Sequence, residues 1–365
     1  MTLPVQPPIL PMLAKLARKV PEGDFLYEPK WDGFRAIVFR DGDEIEIGSR
    51  SGKSLVRYFP ELVDAFRREL PERCVIDGEI VVVTEKGLDF DALGLRVHPA
   101  ESRVQKLARE LPASFVAFDV LALGDDDLRS LPLSDRHAQL VDALADVELP
   151  IFLTPSTTDV EVASDWFERF EGAGFDGVVA KPLDQPYVSD ERVMTKVKHE
   201  HTTDCVVAGY RLHKDGKGVG SLLLGLYDEH GTLHHVGVAS NMNAALRASL
   251  LEEVTPYEID DVTVHPWAGW AEWAEPTGDG TAARMPGSPS RWNAKKDLAW
   301  VPLRIELVAE VKYEHLQPTN DHSPGRFRHT ARFLRWRSDR TPESCTYAQL
   351  DAPQVVSFLE LITDL

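Results

Sequence analysis

The sequence predicts an α+β domain built on mostly antiparallel sheets and then a small all-β barrel of the OB type, and three observations carry that reading. Up to about Thr202, apolar runs of period two alternate with stretches of helical spacing. Beyond it the texture changes to five short strands with glycine turns and one inserted helix, the make-up of a small Greek-key barrel. At 365 residues the chain also exceeds one ordinary core and calls for two domains or three. The change of texture divides it into domains 1–202 and 203–365.

Phe34 to Arg40, the turn Asp41-Gly42-Asp43 and Glu44 to Ser49 read as a hairpin, with Ile45 and Ile47 alternating against Glu44 and Glu46. Phe59, Leu62, Val63, Phe66 and Leu70 recur at helical spacing, as do Leu133, His137, Leu140, Val141 and Leu144 behind the candidate N-cap Ser134. A third helix is expected from about Val160 to Glu171, with Trp166, Phe167 and Phe170 inward and Gly172 and Gly174 ending it. Strands are expected at Cys74 to Val83, Phe115 to Leu123 and Asp176 to Pro182. In the barrel they are expected at Cys205 to Leu212, Ser221 to Asp228, Leu233 to Ala239, Ile305 to Tyr313 and Phe327 to Trp336, with a helix near Asn243 to Val254. Pro266 to Pro289, with Trp267, Trp270 and Trp273, reads as a long barrel loop. Gln354 to Leu361 reads as a short amphipathic helix that packs.

A formal charge of −19 argues against a wholesale polyanion binder, so nucleic-acid contact needs a local basic surface. One exists: Arg326, Arg328, Arg332, Arg335, Arg337 and Arg340 stand against the single acid Asp339. A solvated charged strand explains the same run. Cys74, Cys205 and Cys345 are odd in number and far apart, which indicates neither a disulfide framework nor a zinc site and points to a cytosolic compartment. The opening residues lack a basic segment and an apolar run, and no stretch of about 18 apolar residues follows, so no membrane segment is expected. His199, His201, His234 and His235 lack metal spacing and read as ordinary surface or strand histidines.

Tyr27-Glu28-Pro29-Lys30-Trp31-Asp32-Gly33-Phe34-Arg35 is the most informative stretch. A lysine behind proline and before Asp-Gly and Arg is a poor packing residue and a good nucleophile, once nearby cations or partial burial depress its ordinary pKa of about 10.4. Its bland alternative is a surface lysine opening a hairpin. Ser49-Arg50-Ser51-Gly52 offers a phosphate or ribose donor with close backbone approach. Asp77-Gly78-Glu79 interrupts an apolar run, where Glu79 could hold a ribose hydroxyl or a metal and where a hairpin turn is the alternative. Phe118, before Asp119, is either core or a base-stacking platform. Lys181 ends the apolar run begun by Asp176, and Lys196 and Lys198 fall on one face of a strand by period two. Two ammonium groups aimed into one site need a polyanion between them, and a triphosphate supplies it. The set suits Mg-bound nucleotide chemistry, with fixed cations stabilising charge on phosphoryl oxygens and carboxylates holding the metal.

In order, Lys30-Trp31-Asp32-Gly33-Phe34-Arg35, Ser49-Arg50-Ser51-Gly52, Asp77-Gly78-Glu79, Phe118-Asp119-Val120, Asp176-Gly177-Val178-Val179-Ala180-Lys181, Lys196-Val197-Lys198 and Arg337-Ser338-Asp339-Arg340 resemble the motifs of the covalent nucleotidyltransferases. They are most similar to those of ATP-dependent DNA ligases, and the two-domain form resembles the stand-alone bacterial ligase C group and the ligase domain of ligase D. The resemblance implies an antiparallel-sheet nucleotidyltransferase (adenylation) domain before the OB-fold barrel. It implies that Lys30 takes AMP from ATP, oriented by Asp32, with Glu28, Arg35, Arg50, Glu79 and Phe118 around the nucleotide and Lys181, Lys196 and Lys198 on its phosphates. Mg²⁺ or Mn²⁺ would sit at Glu79 and Asp176. Arg337, Asp339 and Arg340 would orient the departing pyrophosphate, and a hinge is expected between Lys198 and Asp204.

Lys53, Arg57, Arg211, Lys214, Lys217, Lys295, Lys296, Arg326 and Arg328 are candidates for a clamp on the backbone of nicked duplex DNA, or simply solubilising charges. The implied enzyme is a cytoplasmic monomeric repair ligase, with a repair polymerase as a possible partner. Asp176 stands where the family usually has Glu, Arg340 where it commonly has Lys, and Val193-Met194-Thr195 lacks the aromatic expected before the fifth motif. RNA ligase, a capping guanylyltransferase and a non-catalytic OB-fold nucleic-acid binder are the alternatives.

Overall fold

The computed structural model describes residues 1–84, 87–169, 175–199, 201–268, 299–314, 316–317 and 325–350. Met1–His199 and Glu200–Asp351 form two compact units. In the first, strands β1 (Leu13–Ala17), β2 (Phe25–Trp31), β3 (Phe34–Asp41) and β4 (Glu44–Ser49) precede helix α1 (Pro60–Glu69). Then come β5 (Arg73–Thr84), β6 (Gly87–Leu88), α2 (Phe90–Arg96), α3 (Glu101–Glu110), β7 (Ala113–Leu123) and β8 (Asp126–Asp127). Helix α4 (Leu133–Ala143), β9 (Ile151–Leu153), α5 (Val160–Arg169), β10 (Phe175–Pro182) and β11 (Arg192–Val197) complete it.

Two sheets result. One runs β1-β11-β10-β2; the other runs β4-β3-β5-β7-β8, with β6 and β9 paired off its path. The hairpin between β3 and β4 turns at Gly42, whose φ of 64° supplies the positive value that a tight two-residue turn needs at its first central position. Helix α1 buries Leu62 and Phe66 against Ile76, Ile80 and Phe115 of the larger sheet, where Phe66 and Phe115 meet edge to face at 5.1 Å. Fully burying each such side chain is worth about 1.5–3 kcal/mol.

Asp77-Gly78-Glu79 is mid-strand in β5 rather than a turn, and the glycine is there because a Cβ at Gly78 would overlap the Phe115 ring and the Val116 carbonyl. Ser134 does not cap α4. The helix starts one residue earlier, behind Pro132, and the Ser134 amide donates to the Leu183 carbonyl at 2.9 Å. Val141, expected inward on that helix, is exposed. Helix α5 carries Trp166 inward, while Phe170 and the glycines expected to end the helix lie outside the described residues.

The second unit holds β12 (His201–Leu212), β13 (Val219–Tyr227), β14 (Leu233–Ala239), α6 (Ala244–Val254), β15 (Val301–Tyr313), β16 (Leu316–Gln317), β17 (Arg326–Phe327) and β18 (Arg332–Trp336). Five strands pair in the order β14-β13-β12-β15-β18, and a single parallel bridge between Ala239 of β14 and Ala331, just before β18, links the two ends as in an OB-fold barrel. Asn243 caps α6 by accepting from the Leu246 amide at 2.9 Å.

The strand expected from Phe327 to Trp336 is two strands. Its first part pairs with β16 and its second with β15, so the chain breaks at His329-Thr330 to change partners. Trp267 is buried among Leu233 and Gly225, and the rest of the tryptophan-rich segment from 269 on lies outside the described residues, as does the expected C-terminal helix. His234 and His235 are strand histidines of β14, His235 buried and His234 paired with Asp228 at 2.7 Å. Cys74, Cys205 and Cys345 are buried free thiols.

Candidate nucleotide site

Lys30 is the penultimate residue of β2, the edge strand of the smaller sheet, and Asp32-Gly33 then carries the chain into β3 of the larger one. The lysine thus stands where the two sheets of the first unit meet. Strand registers place its neighbours. Val179 of β10 lies opposite Glu28 on one side and Lys196 of β11 on the other, so these three share a row and a face. By period two Lys30 and Lys181 share that face.

Lys198 does not lie on the strand, as its spacing from Lys196 implied; β11 ends at Val197. Gly177, the residue before Val178, falls in the irregularity where the β10–β2 register shifts between Phe175 and Val178, and it lies against the end of β11. Its φ is 133°, and a Cβ there would overlap the Val197 carbonyl and stand 3.1 Å from the Lys198 Cα. A glycine there lets β10 pass against the end of β11 without a side chain in the way.

The larger sheet supplies the facing wall. Arg35 of β3 donates from Nε and Nη2 to the two oxygens of Asp77, at 2.6 Å each, and its guanidinium lies 4.3 Å from the Phe118 ring centre. Such bidentate charge-assisted pairs fix orientation as well as adding energy. Glu79 faces Arg35 across the β3–β5 ladder. Burial pushes its carboxyl up to about 7; the cations of Arg35 and Lys30 pull it back, while Asp77 and Asp32 push it further.

Glu28 and Lys181 form a buried ion pair at 2.7 Å, and the Lys181 ammonium also donates to the Phe118 carbonyl at 3.1 Å. Burial raises Glu28 to about 7 against the pull of Lys181. Lys181 is accordingly committed to Glu28. Phe118, 6% exposed, packs with Trp31, Val81, Val116 and Trp166, so its ring is core as well as site wall. Arg50 is exposed in the turn after β4, where Gly52 takes a φ of 74°. The side chain of Asp176 lies outside the described residues. Among the described residues no group of three His, Cys, Asp or Glu forms a ready-made metal cage.

In the second unit Arg337 donates to both oxygens of Asp204, at 3.0 Å each, and pairs with Asp339 at 2.8 Å; Arg340 reaches Asp204 at 3.3 Å and Ser344 at 3.0 Å. The hydrogen bonds from Arg337 hold the Asp339 carboxyl well below the usual range.

The clamp candidates divide. Lys53, Arg57, Lys214 and Lys217 are exposed, Arg57 donating to the Pro99 carbonyl at 2.9 Å. Arg211 and Arg326 are half-buried with their Nε atoms shielded from solvent, and both act on buried His235, whose pKa burial and then these two cations lower well below the ordinary value. Arg328 is half-buried, and Lys295 and Lys296 lie outside the described residues.

Three residues near these groups escaped the sequence reading. Asp204 was legible as an acid inside the apolar run Thr203 to Val207. Arg136 grips Asp119 at 2.8 and 2.9 Å, fully buried, and Tyr187 donates to Asp77 at 2.7 Å; neither carries a sequence signal.

Comparison with known proteins agrees with this arrangement. A family model described as "ATP dependent DNA ligase domain" matches residues 11–198, and one described as "ATP dependent DNA ligase C terminal region" matches residues 215–340. The chain is 56% identical over 354 residues to DNA ligase C2 of Mycolicibacterium smegmatis, covering 97% of each. It is 55% identical over 372 residues to DNA ligase C of Mycobacterium tuberculosis, covering 100% of each. A solved structure from a study of Lig E DNA ligases matches 90% of this chain and 100% of its own at a TM-score of 0.53 and 16% identity, a likeness of fold.

Proposed function

The chain belongs to the ATP-dependent DNA ligases, and from that premise we propose that Lys30 is the residue that carries AMP. The observation that supports this most directly is the position of Lys30 on one sheet face with Glu28, Lys181 and Lys196, opposite Arg35 and Glu79 of the other sheet. A neutral Lys30 amine attacks the α-phosphorus of ATP; the bond to the pyrophosphate oxygen breaks and a phosphoramidate forms. Asp32 orients the amine. Arg35, Arg50 and Glu79 hold ribose and phosphate, and Phe118 borders the base. Lys196 and Lys198 offset charge on the phosphates.

A 5′-phosphate at a nick then attacks the same phosphorus and releases the lysine. The 3′-hydroxyl attacks the adenylated end and expels AMP, joining the strand. Arg337, Asp339 and Arg340 orient the pyrophosphate in the first step. A hinge between Lys198 and Asp204 is supported by the chain's passage from one unit to the other between His199 and Glu200.

A magnesium or manganese ion fits Glu79. A carboxylate lifted to about 7 by burial regains its charge beside a divalent cation, and Mg²⁺ needs only one or two protein carboxylates with substrate phosphates. Asp176 is the second proposed ligand. The ion would supply charge neutralisation on the phosphates.

We also propose that the enzyme seals nicks in duplex DNA as a cytoplasmic monomer, in repair and beside a repair polymerase. Its likeness to bacterial ligase C supports this, and among the described residues no helix is long and apolar enough to cross a membrane.

The test is to label the protein with α-labelled ATP and Mg²⁺ and chase with nicked duplex. Label should enter wild-type protein and leave as joined DNA appears, and Lys30→Ala should take up none while retaining nick binding. Label on Lys30→Ala at the wild-type level would refute the assignment.

A further inference from the structure

The connection from β10 to β11 carries Tyr187, which lies in none of the motifs. Its hydroxyl donates to Oδ2 of Asp77 at 2.7 Å and accepts from the Met12 amide at 3.4 Å. Asp77 is fully buried, and its oxygens take the two 2.6 Å bonds from Arg35. Tyr187 is therefore the third donor on the carboxylate that holds Arg35. Its ring lies 5.8 Å from the guanidinium of Arg136, which grips Asp119, the neighbour of Phe118.

Both supports of the facing wall thus converge on one side chain. Packing does not require the oxygen, since phenylalanine would fill the same volume; a buried hydroxyl must find an acceptor, and this one finds the site's own carboxylate. Burial also raises the phenol well above its ordinary value, so it remains a donor throughout the working pH range.

We infer that Tyr187 is a positioning residue for the nucleotide site, acting through Asp77 to hold Arg35 in the orientation that receives ATP. This rests on the reading of Arg35 as a nucleotide contact. Without the hydroxyl, Asp77 keeps only donors from a flexible arginine, and carboxylate and guanidinium can turn together. Arg35 then samples orientations that do not meet the nucleotide, which weakens binding of ATP more than it slows the reaction of ATP already bound.

The experiment follows self-labelling against ATP concentration for Tyr187→Phe, in the wild-type and the Arg35→Lys backgrounds. Loss of a hydrogen bond to a charged group predicts a KM for ATP raised roughly ten- to hundredfold. The limiting rate should stay within about threefold. In the Arg35→Lys background the change should add little, because the orientation it defends is already lost. An unchanged KM, or the same added loss in both backgrounds as a purely structural role would give, overturns the inference. If wild type fails to label, the reading of the site falls and this inference with it; if wild type labels normally beside an unaffected variant, this inference falls alone.

Discussion

Replacing Glu79 by glutamine should make the protein more stable and less active, and the two effects should part with pH. The carboxyl is raised from its ordinary 4.5 to about 7, first by burial. A folded-state value above the unfolded one means that the ionised group costs stability, a cost absent below about pH 4.5 and complete above about pH 7. The gap corresponds to ~3 kcal/mol. Because Glu79 is half-buried, solvent screening reduces this to ~1–2 kcal/mol. Glutamine never ionises, so at pH 8 the variant should melt roughly 3–6 °C above wild type. Near pH 4.5 the two should coincide. Adding Mg²⁺ with ATP should narrow the difference by stabilising wild type selectively. Self-labelling should fall, since the carboxylate that makes the site unstable is the one assigned to ribose and metal. Melting curves at the two pH values, with and without nucleotide, provide the assay. A variant less stable than wild type at pH 8, or equally stabilised at both pH values, would refute the electrostatic reasoning.

Glu28, raised to a similar value, should respond in the opposite sense, because its loss strands a buried lysine. Glu28→Gln leaves Lys181 without its carboxylate and should cost about 3–5 kcal/mol in urea unfolding. Gly177→Ala forces a side chain onto a φ of 133°, at a cost of ~1–3 kcal/mol, and pushes the end of β11 away. Self-labelling should drop by roughly a hundredfold if Lys198 is displaced by about 1 Å, and labelling at the wild-type rate would contradict the placement of that lysine. If the exposed Lys214 and Lys217 each neutralise a DNA phosphate, replacing both with alanine should reduce the slope of log affinity against log salt by about 0.9 for each one. Nick-binding titrations over a salt series read that slope directly.

The elements were legible where side-chain period met an unambiguous terminus. The β3–β4 hairpin and the helix capped by Asn243 lie within a residue or two of their expected bounds, because alternation and turn chemistry are local. The strand expected from Phe327 to Trp336 failed because its period continues across a change of partner, which is decided by where β15 and β16 lie rather than by the residues themselves. The candidate site was legible in its charged groups and illegible in what holds them. Lys30 and Arg35 flank an Asp-Gly behind a proline and Glu79 interrupts an apolar run, whereas Asp77's grip on Arg35, Tyr187's on Asp77 and Arg136's on Asp119 join residues 42, 110 and 17 positions apart. The resemblance implied Lys181 on the phosphates; its partner Glu28 is 153 residues away, and no spacing rule reaches that far.

The spacing of the most informative stretch now has a geometric reason. Lys30 is the last residue but one of the edge strand of one sheet and Arg35 the second residue of β3 in the other, so the residues between them carry the passage from sheet to sheet. That passage must be short, or the lysine and the wall it faces would separate. It must also run close to β5, and it does: a Cβ at Gly33 would overlap the Ile80 carbonyl and stand 2.8 Å from Glu79 Cγ and 3.0 Å from Val81 Cγ1. Any other residue there would push Glu79, the group that senses Lys30, Asp32, Arg35 and Asp77 at once. Lysine, acid, glycine and arginine are thus four parts of one crossing: the nucleophile at its start, the acid that turns with it, the glycine that lets it pass against β5, and the cation that anchors its far side to Asp77.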